Sequence, residues 1–198
     1  GKIAYEEKRL EHGRPTWDLI VVDAPATGHV LPQLGAARAM LELARGGIIR
    51  SQVEWIDATL TDPRRTALTI CSLPEEMAVQ EAVELHDRAG TQTRIAIGAC
   101  FLNRVFPVAL TARQLRPLEA AAAADRREAA RERLGADPAV LLDGLRVAAR
   151  LHDASVVSAR RLRAALACPV VEVPVQAGAR PGLSTTRLVA GAIAAAAA

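Results

Sequence analysis

An uninterrupted apolar run, Leu19-Ile20-Val21-Val22, ends abruptly at Asp23 and is followed by a turn that contains proline, threonine and glycine. A short run rich in β-branched residues predicts a strand over about 18–23 that is buried on both faces of a parallel sheet. Asp23 would then lie at the carboxyl end of the strand, where open α/β sheets bind their ligands. Its carboxylate is well placed to hold a Mg²⁺-bound water beside a nucleotide phosphate. The alternative is an aspartate that only caps a loop.

Strand-like and helical patterns alternate along the rest of the 198 residues. Further strands are predicted at 66–71, 93–102 and 169–173. Residues 30–65 are mostly helical in pattern, with a break at Gly46-Gly47. The alternation predicts an α/β fold, in which a mainly parallel sheet carries helices on both faces. The length fits a single α/β domain over 1–198, with a short helical insertion at about 30–65 and a sheet that is incomplete at the N-terminus.

Composition limits the classes of partner and compartment. The formal net charge of +3 is small, and no basic block interleaved with aromatic residues indicates nucleic-acid binding. The cysteines, Cys71, Cys100 and Cys168, lie far apart in sequence without a CxxC pair, so no structural zinc site is predicted. Their apolar surroundings predict reduced, buried thiols in a cytoplasmic protein. The terminal apolar stretch 188–198 is about half the roughly 20 residues that a membrane span needs.

Three loops, taken together, resemble those of one family, the arsenite-translocating (ArsA-type) ATPases and the related tail-anchored-protein targeting ATPases. Asp23-Ala24-Pro25-Ala26-Thr27-Gly28-His29 is similar to the switch II loop of that family, D-T-A-P-T-G-H. Leu102-Asn103-Arg104-Val105-Phe106-Pro107 is similar to its V-N-x-x-x-P loop, and residues 173–183 resemble its P-L-x-x-x-E-x-R-G-x loop. Leu73-Pro74-Glu75-Glu76 also matches a P-E segment of the family. The matches occur in family order, and each follows a predicted strand.

The resemblance implies a role for each matched residue in binding ATP or ADP. Asp23 would organise a Mg²⁺ site through water, and Gly28 would let backbone amides face the γ-phosphate and move on hydrolysis. Asn103 would hydrogen-bond the adenine, because an amide side chain offers a donor beside an acceptor. Pro174 and Val175 would pack against the adenine ring.

His29 also matches the family loop, and it is assigned to a hydrogen bond within the turn in preference to catalysis.

The chain also departs from the family. No G-x-x-x-x-G-K-[ST] motif occurs, and neither lysine, Lys2 or Lys8, lies in a glycine loop. In the family this phosphate loop precedes switch II, so we expect it upstream of Gly1. The chain therefore resembles the C-terminal part of a P-loop NTPase-like (deviant Walker type) ATPase, and alone it is expected to bind ATP weakly or not at all and not to hydrolyse it.

Family resemblance further implies a dimer, either a homodimer or a heterodimer with a related ATPase, and a client such as a membrane protein. The predicted insertion at about 30–65 is short and contains one methionine, Met40, so the cargo is not indicated. One alternative is a non-catalytic nucleotide-binding or regulatory subunit that pairs with a chain containing the phosphate loop. Another is an unrelated α/β domain in which Asp23 only caps a loop.

Overall fold

The computed structural model describes residues 2–24, 27–107, 110–176 and 182–197. The chain divides into two compact units, the first formed by 1–68 and 85–97 and the second by 69–84 and 98–198. The single α/β domain that the sequence predicts over 1–198 stays a prediction.

The elements follow one another in an order typical of α/β proteins. The helices are α1 (Lys2–Lys8), α2 (Thr27–Leu43), α3 (Gly47–Thr61), α4 (Glu76–Gln92), α5 (Ala112–Ala122), α6 (Arg127–Leu134), α7 (Pro138–Ala165) and α8 (Leu183–Ala197). The strands are β1 (Leu10–Glu11), β2 (Arg14–Pro15), β3 (Ala67–Ser72), β4 (Ala96–Val105) and β5 (Val170–Pro174).

A three-stranded parallel sheet with the order β3-β4-β5 is flanked by helices. β4 and β5 pair in parallel with Cys100 opposite Val170 and Asn103 opposite Val173, and α7 and α8 both pack against β5. Leu102 of β4 and Leu162 of α7 are completely buried. The predictions of strands at 66–71, 93–102 and 169–173 are thus confirmed to within a few residues, because apolar, β-branched runs mark buried parallel strands.

Local sequence signals account for the helix ends in the second unit. Thr111 and Gln114 form a reciprocal capping box at the start of α5. The Asp137 carboxylate accepts a hydrogen bond from the Ala139 amide at the start of α7, and Pro138 follows it at the first helical position. Gly135, at a φ of 67°, ends α6 in the left-handed conformation that glycine adopts readily.

The first unit contains α1, α2, α3 and the two-residue strands β1 and β2, which pair antiparallel. The ammonium of Lys8 lies 3.6 Å from the centre of the Trp55 ring, and Arg94 donates to Asp57 over 2.7 Å. The predicted helical character of 30–65 is confirmed by α2 and α3, which end and begin on either side of residues 44–46.

The strand predicted over 18–23 is not observed, and this prediction is wrong for the structure. Residues 17–24 have no regular structure, and Leu19 and Val21 are 77% and 82% exposed. A strand needs a neighbour that completes its backbone hydrogen bonds, and within the described residues none pairs with this segment. Asp23 therefore does not end a buried strand in this structure.

The cysteines are less uniformly buried than the sequence predicts. Cys100 is buried, Cys168 is half-buried and Cys71 is exposed. Burial raises the pKa of the Cys100 thiol to about 11, with smaller contributions from Cys168 and Cys71, so this thiol stays protonated and unreactive at neutral pH. In the described part of the chain, no helix combines the length and hydrophobicity that crossing a membrane requires.

Candidate functional site

A cavity of about 530 Å³ opens in the second unit where the strands of the sheet end. Its walls come from the residues at the ends of three strands and from two helices. They are Leu73, Pro74, Glu75, Asn103, Arg104, Phe106, Leu151, Pro174, Val175, Gln176, Thr185 and Val189. The volume lies within the range of small-molecule sites, and most of the lining is apolar with a few polar groups. The structure thus brings together three of the predicted site residues, Asn103, Pro174 and Val175.

Asn103 is exposed and lies within β4, one position before a bulge, whereas the sequence predicts a loop there. Its Oδ1 accepts a hydrogen bond from the Arg104 amide over 2.9 Å. Because an N–H needs an acceptor, this bond fixes which end of the side chain is the oxygen. The Nδ2 group donates to no other group among the described residues, so two N–H donors remain available to a ligand.

Arg104 is the residue at which β4 departs from regular geometry. The pairing with β5 shifts between Asn103 and Val105, and Arg104 has a φ of 58°. Non-glycine residues rarely adopt this left-handed region. In a regular strand Asn103 and Arg104 would point to opposite faces, but here both line the cavity.

Pro174 and Val175 form the wall at the end of β5. The Val175 amide donates to the Val105 carbonyl over 2.9 Å, which extends the pairing of the two strands past the bulge. Gln176 Nε2 donates to the Pro174 carbonyl over 3.1 Å. These bonds hold the apolar wall in a defined position opposite the end of β4.

Two side chains of α7 hold the backbone of Phe106, and sequence reasoning missed both. The Phe106 amide donates to Ser155 Oγ over 3.2 Å, and His152 Nδ1 lies 2.6 Å from the Phe106 carbonyl oxygen, to which it must donate. Ser155 Oγ in turn donates to the Leu151 carbonyl over 2.8 Å. This last bond lies within the continuous helix α7.

Replacing Ser155 by alanine is expected to lower the free energy of unfolding by about 1–3 kcal/mol, because the part-buried Phe106 amide loses its acceptor, the fully buried Ser155 hydroxyl. Urea denaturation measures the change. Ser184→Ala, at an exposed position of α8, is the matched control and should have little effect. An equal, small effect of both substitutions would show that the Ser155 bond does not hold the cavity wall.

Asp23 and Gly28 belong to the first unit. The Asp23 side chain is exposed, Gly28 lies in the first turn of α2, and His29 is exposed on the same helix. Pro25 and Ala26 of the predicted switch loop, and residues 177–181 of the third predicted loop, lie outside the described residues. The predicted roles of Asp23, Gly28 and His29 stay predictions.

No protein-family model matches the chain. A search of curated proteins finds similarity to ATPase BagA of Mycobacterium tuberculosis H37Rv, with 34% identity over 116 residues. Two proteins with provisional ATPase names, from Mycobacterium bovis and from M. tuberculosis CDC 1551, match to the same extent. Each match covers 58% of this chain and 34% of the relative, so the matched region spans about a third of the relatives' length. The chain is thus similar to part of proteins that are named as ATPases.

Proposed function

We propose that the chain forms part of an ATPase of the arsenite-translocating (ArsA) type, with a deviant-Walker P-loop NTPase fold, and that its cavity holds the adenine of ATP or ADP. The observation that carries the proposal is the meeting of Asn103, Pro174 and Val175 around one cavity. These residues are about 70 positions apart in sequence, yet the family resemblance assigns all of them to the adenine. Similarity to proteins named as ATPases supports the same proposal.

In this proposal each wall of the cavity recognises a different property of the base. The free Nδ2 of Asn103 donates to a ring nitrogen, while the second lone pair of its Oδ1 accepts from the exocyclic amine. Pro174 and Val175 cover the ring with apolar surface, which favours binding because the base leaves water. Phe106, held by Ser155 and His152, supplies a further apolar wall.

Mg²⁺ would enter with the nucleotide phosphates. Among the described residues, no group of three or more carboxylate, imidazole or thiol side chains could hold a metal. Such a group is not required, since Mg²⁺ at nucleotide sites keeps several waters and takes phosphate oxygens as ligands. The exposed carboxylate of Asp23 fits a contact through one of those waters. Gly28, five positions after Asp23 in sequence, would belong to the switch that senses the γ-phosphate.

Coupling of nucleotide state to a partner is the remaining part of the proposal. A switch segment that moves on hydrolysis can change the affinity for a partner only if the partner binds the two states differently. We propose a cytoplasmic dimer of this chain's protein, with itself or with a related ATPase, whose nucleotide state controls binding of a client such as a membrane protein.

Substitution of Asn103 tests the adenine site. The measurements are made on the gene-encoded protein, that is, on the whole product of the gene. Asn103→Ala is expected to weaken ATP and ADP binding roughly tenfold, because two modest hydrogen bonds are lost. Asn103→Asp keeps the acceptor for the Arg104 amide but loses both N–H donors, and it should weaken binding to a similar degree. Gln52→Ala, an exposed amide in the first unit, is the control. Unchanged affinity of both Asn103 variants in titration calorimetry would refute the assignment.

Turnover separates the proposed ATPase from a non-catalytic subunit. If the gene-encoded protein binds ATP and hydrolyses it alone, the ATPase proposal holds. If it binds ATP but turns it over only after a phosphate-loop-containing chain is added, the protein is the regulatory subunit instead. For the 198-residue chain alone, micromolar affinity for ATP would contradict the expectation of weak binding.

A further inference from the structure

We propose that Arg104 binds the nucleotide by placing its planar guanidinium against the face of the base. This inference rests on the proposed adenine site and adds a residue to it. The family resemblance assigns a role to Asn103 but none to Arg104.

The first argument is the bulge in β4. A regular strand directs consecutive side chains to opposite faces of the sheet, so only one of residues 103 and 104 could reach the cavity. At the register shift between Asn103 and Val105, both Asn103 and Arg104 line the cavity. Bulges commonly redirect a side chain beside a binding site.

The second argument is the backbone conformation of Arg104. Its φ of 58° is unfavourable for a residue with a Cβ and is readily adopted by glycine. If this position served only to bend the strand, glycine would do so without strain. An arginine here therefore points to a use for the side chain.

The third argument is the state of the guanidinium itself. Arg104 is exposed, and its side chain makes no hydrogen bond or ion pair with any group in the described ranges. A planar cation that has no partner among the described residues, beside walls formed by Phe106, Pro174 and Val189, suits the face of an aromatic base. Glu75 lines the same cavity, and its carboxylate repels phosphate groups. The base, rather than the phosphates, is therefore the partner we assign to Arg104.

Two substitutions separate the binding role of Arg104 from its backbone role. Arg104→Gly removes the side chain and tolerates the left-handed φ, whereas Arg104→Ala removes the side chain and keeps the unfavourable conformation. Arg160→Ala is the control, because Arg160 is an exposed arginine of α7 outside the cavity. In the gene-encoded protein, dissociation constants are measured for adenosine, AMP, ADP and ATP, with thermal unfolding as the measure of folding.

We expect Arg104→Gly to stay as thermostable as the unsubstituted protein and to bind all four ligands on the order of tenfold more weakly. Arg104→Ala should lose the same affinity and unfold at no higher a temperature than Arg104→Gly, because alanine, like arginine, carries a Cβ in the left-handed conformation. Unchanged affinity in Arg104→Gly would overturn the inference while the adenine site stands. A loss that grows from adenosine to ATP would also overturn it, since that pattern indicates a phosphate contact. Failure of the unsubstituted protein to bind any of the four would overturn the proposed function as well.

Discussion

Asp23→Asn, made in the protein as its gene encodes it, is expected to lower the rate of ATP hydrolysis at saturating Mg²⁺ and ATP by about 100-fold or more. The substitution keeps the size of the side chain and removes its negative charge. In the proposed site that charge would hold a water of the Mg²⁺ ion, which would supply positive charge to the phosphates, and such electrostatic contributions are commonly worth several kcal/mol. Binding of ATP should change much less, because the adenine cavity is intact.

Asp18→Asn is the matched control for this prediction. Asp18 is an exposed aspartate five positions earlier in the same irregular segment, so its replacement makes the same change of charge. Steady-state phosphate release measures both variants. Equal, near-normal turnover of the two would show that Asp23 has no part in catalysis and would favour the loop-cap interpretation.

Leu102→Ala is expected to lower the free energy of unfolding by about 2–5 kcal/mol, which is a large fraction of the stability of a typical domain. Leu102 has no exposed surface and directly precedes Asn103 in β4. Its truncation leaves a void in tightly packed surroundings, so the loss includes a cavity cost besides the lost burial.

Val157→Ala provides the comparison, since this side chain of α7 is 65% exposed. Chemical denaturation followed by circular dichroism should show a small change for Val157→Ala and a much larger one for Leu102→Ala. A change below about 1 kcal/mol at Leu102 would mean that β4 is not the central, buried strand of the second unit.

The cavity was accessible to sequence reasoning because parallel strands end at the same edge of their sheet. Asn103 and Pro174 follow two apolar runs in the sequence, and β4 and β5 pair in parallel. Polar or turn-forming residues after such runs therefore meet, although about 70 residues separate them. This part of the site depends only on topology, which the alternation of strands and helices predicts well.

The finer structure of the site depends on interactions that no local pattern encodes. The bonds of Phe106 join it to residues 46 and 49 positions later. Nothing in the sequence around Ser155 and His152 distinguishes them from other helix residues. Their role comes from the Phe106 backbone, which only the folded chain brings next to them. The left-handed conformation of Arg104 cannot be predicted from the sequence either, since arginine has no preference for it.

The segment 18–23 shows the limit of composition as a guide to strands. Its apolar residues satisfy the pattern of a buried strand, but a strand exists only where a neighbour accepts and donates its backbone hydrogen bonds. Within the described residues, no strand pairs with this segment. An apolar run thus indicates that a segment can form a strand. Whether the strand forms depends on a neighbouring strand that pairs with its backbone.

Hydrogen exchange measured with and without ADP and Mg²⁺ tests the adenine cavity most directly. In the gene-encoded protein, ADP is predicted to slow exchange of backbone amides in 101–107 and 171–176, which end β4 and β5. Exchange in 127–134, the exposed helix α6, should not change and serves as the internal control. Protection confined to regions outside 101–107 and 171–176 would contradict the assignment of this cavity to the nucleotide base.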